Sequence, residues 1–224
     1  MALNKLKFNS INVTPAANQA LKFNSSANGF ETGAAGGSMT FIKKLTASSS
    51  STLSFVDGSS SVVLDNTYKE YVFTFNNMHP SADQADLQFN MSADSGSNYN
   101  VTKTTTAFRA FHNEAGNDTN FSYHTGEDLA QGTGFQSIAY ETDNASDSGI
   151  SGSLHLFNPS STTFVKHFLA QTSSCIDGGA TYGIYNINFF TAGYGNTTSA
   201  IDAVQFKMSS GNIDAGTITL YGIT

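Results

Sequence analysis

Five histidines, one cysteine and a scatter of carboxylates are the side chains of this chain that could do acid–base, nucleophilic or metal chemistry. The histidines stand at 79, 112, 124, 155 and 167. His155 and His167 flank an Asn158-Pro159 turn, so neighbouring strands would let them face each other across the pair. A metal centre needs a third and usually a fourth ligand, and no carboxylate stands at an obvious spacing. Local hydrogen bonding is the simpler role for all five. Residues 143–147, Asp-Asn-Ala-Ser-Asp, gather oxygen ligands as a Ca²⁺ loop would, but lack the spacing, glycine and terminal Glu of an EF-hand. Cys175 lies between Ser174 and Ile176 with no flanking base to make a thiolate. The sequence has neither a Gly-X-Ser-X-Gly elbow nor a phosphate loop. Glu127-Asp128 and Glu141/Asp143 pair carboxylates, as glycosidases do, yet closeness in sequence is not the separation across a substrate that such chemistry requires. Tyr99, Tyr123, Tyr140, Tyr182 and Tyr194 fall near turns, where such rings stack on sugars or pack at a rim. These residues predict no catalytic constellation, no cofactor and no metal.

The elements that would position them are strands. Residues 39–46, 53–56, 69–78, 86–93, 99–112, 135–140, 150–157, 163–171 and 182–191 read as strands between turn signals. In the third of these Tyr71, Phe73 and Phe75 share one face, with Glu70, Val72 and Thr74 on the other. In the fourth, Leu87, Phe89 and Met91 oppose Asp86, Gln88 and Asn90. The last twenty-five residues repeat the pattern twice: Val204, Phe206 and Met208, then Ile218 and Leu220, around a Ser-Ser-Gly-Asn turn at 209–212. That run predicts a core hairpin at the C-terminus. Residues 99–112 are long enough to bend between two sheets, 113–134 are irregular with one helical turn at 127–131, and 173–180 form a loop. About ten strands without crossover helices predict an all-β fold, an antiparallel β-sandwich (jelly-roll-like) over residues 39–224.

Composition narrows the function. Charged residues are only 12% of the chain, and the net charge is −7. No basic stripe exists to neutralise phosphates, which argues against a nucleic-acid partner. A single cysteine forbids an internal disulfide. The first residues lack the apolar core of a signal peptide, and no run approaches a membrane span, so folding in a cytosol without membrane insertion is expected.

Residues 1–38 stand apart. Lys-Phe-Asn-Ser occurs at 7–10 and again at 22–25, each time after a leucine, and Gly-Ala-Ala-Gly-Gly-Ser at 33–38 reads as a joint. This predicts an extended N-terminal arm that orders on a partner, with Leu6, Phe8, Leu21 and Phe23 as the partner-binding anchors.

The words of the sequence add a resemblance. Residues 64–112 (LDNTYKEYVFTFNNMHPSADQADLQFNMSADSGSNYNVTKTTTAFRAFH), 154–168 (LHLFNPSSTTFVKHF) and 192–223 (AGYGNTTSAIDAVQFKMSSGNIDAGTITLYGI) resemble small virion structural proteins of tailed, marine-type bacteriophages. Residues 19–33 (QALKFNSSANGFETG) are similar to short β-segments near the start of phage tail-fibre chains. The resemblance implies a non-enzymatic component of the phage virion, of tail-fibre or adhesin type, attached through the arm to other virion proteins. A capsid decoration protein that stabilises the head is the alternative, and a glycan-binding or glycan-cleaving sandwich a third. It further implies a homo-oligomer, a homotrimer by analogy, made in the host cytoplasm, located in the virion and open to a host surface glycan as partner.

Overall fold

The computed structural model describes residues 13, 19–34, 38–177 and 183–223. The chain divides into two compact units, Met1–Ser38 and Met39–Thr224. In the first, β1 (Gln19–Phe23) pairs antiparallel with β2 (Phe30–Ala34), matching Leu21 with Thr32 and Phe23 with Phe30. The second is an all-β antiparallel sandwich, and the described residues contain no helix. None is therefore long and apolar enough to cross a membrane.

Its smaller sheet has four strands in the order β10 (Gln136–Ser137), β6 (Leu87–Ser92), β14 (Ala203–Met208) and β4 (Leu53–Val56). The larger sheet runs β3 (Met39–Thr46), β15 (Ile213–Ile223), β5 (Glu70–Pro80), β11 (Ile150–Phe157), β12 (Lys166–Asp177), β13 (Ile184–Gly195), β7 (Lys103–Asn113) and β8 (Thr119–Tyr123). A ninth strand, β9 (Ala130–Gly132), pairs with the start of β7. The alternating residues read from sequence do face inward: Tyr71, Phe73, Phe75, Leu87, Phe89, Met91, Phe206, Met208, Ile218 and Leu220 are all buried. Phe206 sits at their centre, with ring centroids 5.3 Å from both Phe73 and Phe75. Burying each such side chain contributes roughly 1.5–3 kcal/mol.

The C-terminal run is not a hairpin. β14 belongs to the small sheet and β15 to the large one, so the chain crosses the core between them. The apolar faces of the two strands meet across the sandwich instead of lying side by side, a distinction that alternation alone does not carry. The crossing is held beside a second one. Ser209 N–H donates to the Asp86 carbonyl (2.9 Å), Ser81 N–H to the Asn212 carbonyl (2.9 Å) and Asn212 N–H to Ser81 Oγ (2.8 Å). Residues 81–86 carry the chain from β5 to β6, so the two connections satisfy each other's backbone groups.

Three further expectations are corrected. β7 does not pass between sheets, because it pairs with β13 along its whole length, from Lys103–Gly195 to Asn113–Tyr185. Residues 127–131 form no helical turn, and their second half is strand β9. Residues 173–177 are strand instead of loop, since β12 continues to Asp177 opposite Ile184. The far face of β6 is also covered: Asn90 is buried, and its amide donates to the carbonyls of Tyr99 (2.6 Å) and Thr133 (3.0 Å).

The large sheet is wider than the small one, and residues 133–143 cover part of its inner face. That face is built of hydroxyls where they lie. Thr172 Oγ1 donates to the Ile138 carbonyl (2.6 Å), Thr191 Oγ1 to the Ser137 carbonyl (3.0 Å) and Thr105 Oγ1 to Gln136 Oε1 (2.6 Å). A covering strap of irregular backbone needs such donors, because its carbonyls are out of reach of water.

Candidate functional site

The chain has one arginine, Arg109, and the fold puts it at the mouth left where that strap ends. Strand alternation on β7 turns Arg109 and Phe111 to the inner side of the large sheet, and the pairing sets Arg109 opposite Phe189 of β13. The guanidinium lies 4.6 Å from the ring centre of Tyr140 and 5.2 Å from that of Phe111. Stacking of this kind holds a cation without neutralising it. No carboxylate lies within ion-pair distance of Arg109 among the described residues, and its Nε is buried with no hydrogen-bond partner.

The mouth is a cleft of about 490 Å³, within the range of small-molecule sites. Phe111, Ile176 and Ile187 supply apolar surface, and Gln84, Arg109, Glu141, Asp177 and Tyr185 supply polar groups. Tyr185 Oη donates to Asp118 Oδ2 at 2.7 Å and packs edge-on against Phe111, with centroids 5.3 Å apart.

The rim is held under backbone strain. Gln84 and Glu141 both adopt left-handed φ values, 52° and 42°. Two hydrogen bonds of 3.0 Å between Ala85 and Thr142 clamp them from either side. Asp86 fixes the same corner: its Oδ1 accepts Glu141 N–H at 2.8 Å and its Oδ2 accepts Ser137 Oγ at 3.0 Å. Burial pushes the Asp86 carboxyl up to about 6, with the charges of Glu127 and Glu141 adding to the rise. Burial, and then the neighbouring Glu141, push the Tyr140 hydroxyl up to about 12. His124, whose ring lies 4.3 Å from that of Tyr140, is held below the usual histidine range by burial and by the Arg109 charge. At neutral pH the imidazole is therefore uncharged and the tyrosine protonated. The groups facing the cleft can bind through a cation, carboxylates and rings. Asp86, the carboxyl raised beside the cleft, is 9% exposed and spends both oxygens on the rim.

The residues singled out from sequence are dispersed. His155 pairs with Leu169, two residues from His167, and each histidine has its own partner. His155 Nδ1 lies 2.6 Å from Glu70 Oε1, and His167 packs near Tyr194. The 143–147 loop does not converge on a point: the Asp143 carboxylate turns inward and accepts the Asp177 N–H. Burial raises that carboxyl. No group of three or more His, Cys, Asp or Glu is placed to hold a metal ion among the described residues. Cys175 lies on β12 and lines a separate cleft of about 710 Å³ with His79, Asp147 and Asp214. His79 Nε2 is engaged by the Ala145 carbonyl at 3.0 Å, so it has no free nitrogen turned to a thiol on that side. Of the carboxylate pairs, Asp128 accepts Tyr123 Oη at 2.6 Å, while Glu127 and Glu141 both act on Asp86. Tyr182, Leu6 and Phe8 lie outside the described residues. Leu21 and Phe23 lie on β1, 47% and 65% exposed.

Sequence reasoning missed Arg109 and Asp86. The available signal for the first was rarity, a lone arginine in a Thr- and Phe-rich strand. For Asp86 none existed, since its partners are about 50 residues away, at Ser137 and Glu141. Neither family models, curated proteins nor solved structures match this chain.

Proposed function

We propose that this chain is a non-enzymatic structural component of a tailed-phage particle, of tail-fibre or adhesin type, which residues 1–38 attach to another particle protein. The observation that carries the reading is the two-faced hairpin β1–β2. One face holds Leu21, Phe23, Phe30 and Thr32, with the Phe23 and Phe30 rings stacked at 4.9 Å and both exposed. The other holds Lys22 and Glu31, paired at 3.3 Å. A lone two-stranded hairpin is marginal in water, and a stacked aromatic pair on one face is what a partner surface would cover. The resemblance of residues 19–33 to tail-fibre segments supports the same assignment. Self-association as a trimer belongs to this reading by analogy alone.

The test is incorporation of the full chain carrying Phe23→Ser and Phe30→Ser into particles that lack it. Loss of incorporation with an unchanged unfolding midpoint supports attachment through the hairpin. Normal incorporation removes the hairpin from the attachment and with it the basis of the reading.

A further inference from the structure

We propose that the Arg109 cleft is a binding site for a neutral sugar. The inference does not depend on where the protein is stationed, nor on the hairpin.

The cleft asks for a ligand that both donates and accepts. Arg109 offers N–H groups and has no acceptor among the described residues, while the rim carboxylate of Glu141 offers acceptors. Sugar hydroxyls do both at once. Phe111 and Ile187 add apolar surface against which the C–H face of a pyranose ring packs. Other ligand classes meet an obstacle. A phosphate or polyanion would face one cation against the carboxylates of Glu141 and Asp177. A purely apolar ligand would strip water from the outer Nη groups of the Arg109 guanidinium and give no acceptor in return, a costly arrangement for a charged donor. A metal ion finds no group of three ligands among the described residues.

The cleft is also preformed. Two of its rim residues, Gln84 and Glu141, hold left-handed backbone that costs energy in non-glycine residues. Asp86 and the Ala85–Thr142 bridge keep them there. Ring stacking on Tyr140 and Phe111 holds the guanidinium in place before any ligand arrives. Preorganisation of this kind lowers the ordering entropy charged to binding.

The probes are glucose, galactose, N-acetylglucosamine and their disaccharides, titrated into the full chain at neutral pH and followed by amide chemical shifts and by calorimetry. The expected result is saturable binding of at least one of them with a Kd of ~1 mM or tighter. The shifts should centre on β7 residues 109–111 and on residues 84–86 and 140–142. Arg109→Met and Glu141→Gln should each weaken that binding about tenfold or more. Glu141→Gln keeps the side-chain volume and the backbone bond to Asp86, so it reports on the site even where Arg109→Met fails to fold. Binding unaffected by Glu141→Gln places the sugar elsewhere and overturns the assignment. No saturable response to any neutral sugar overturns it too, as does Arg109-dependent binding confined to an acidic probe such as N-acetylneuraminic acid. Incorporation of these variants into particles should be normal, which separates this test from that of the hairpin.

Discussion

Two buried lysines face each other across one glycine. Lys103 and Lys166 both pair with Gly195, from either side of β13, and both are fully buried. Neither has a carboxylate within ion-pair distance among the described residues. Lys103 Nζ donates to Asn90 Oδ1 (2.5 Å) and the Val101 carbonyl (2.8 Å), and Lys166 Nζ to the Phe164 carbonyl (2.7 Å). Burial alone lowers Lys103 from 10.5 to about 7. Between those values the unfolded chain binds the proton and the folded chain does not. Stability should therefore rise with pH from about 7 to 10.5, the penalty being fully present below 7. Lys103→Met should flatten that rise, as unfolding midpoints at pH 7, 8.5 and 10 would show. Asp86 has the opposite sign. Its folded value, about 6, lies above the ordinary 3.8, so the folded chain holds the extra proton and stability should fall as pH rises from about 4 to 6. Asp86→Asn keeps an oxygen for Glu141 N–H and should remove that fall. An unchanged slope in either variant would mean that other groups set the titration.

At the scale of elements, strand faces were legible and strand partners were not. Alternation placed Phe73, Leu87, Phe206 and Leu220 correctly because burial on one face is a local, period-two property. Whether Phe206 and Leu220 lie beside or opposite each other depends on a four-residue connection whose bonds go to Ser81 and Asp86, more than 120 positions earlier. The short strands β8 and β9 escaped notice because a few residues with little burial carry no period. The cleft was illegible for the same reason, being assembled from β7, β12, β13 and two loops. Leu220→Ala should cost about 2–5 kcal/mol. Lys207→Ala should cost less, about 0.5–1 kcal/mol, since its ammonium sits 4.6 Å over the Phe135 ring at the surface. Gly216 tests the bulge that steps β15 past β5: its φ is 110°, and an added Cβ would meet the Asn77 carbonyl oxygen at 2.5 Å and Met78 Cα at 2.7 Å. Gly216→Ala should therefore destabilise by several kcal/mol, as denaturant midpoints would reveal, whereas a small effect would mean that the two strands separate there easily.

For the molecule as a whole, the sandwich has its core within one unit. Among the described residues, every buried member of the hydrophobic cluster lies at or beyond Ala47, with Ile42 and Leu45 packed against it, and both sheets begin at or after Met39. The strands that close it, β3 at one edge and β15 next to it, come from residues 39–46 and from the C-terminus. Among the described residues of 1–38, the strands are β1 and β2, and they pair with each other. Removal of residues 1–38 should leave the remaining chain all-β, without helical minima in far-UV circular dichroism. Its thermal unfolding should stay cooperative. At this size each kcal/mol moves the midpoint by about 2–4 °C, so a truncated chain that gives up none of its core should melt within about 2 °C of the full one. The comparison is a pair of melting curves, for the full chain and for residues 39–224. A fall of ten degrees or more would show that the first unit stabilises the sandwich. The hairpin's aromatic face would then have an occupant within its own chain, leaving nothing for a particle protein to cover.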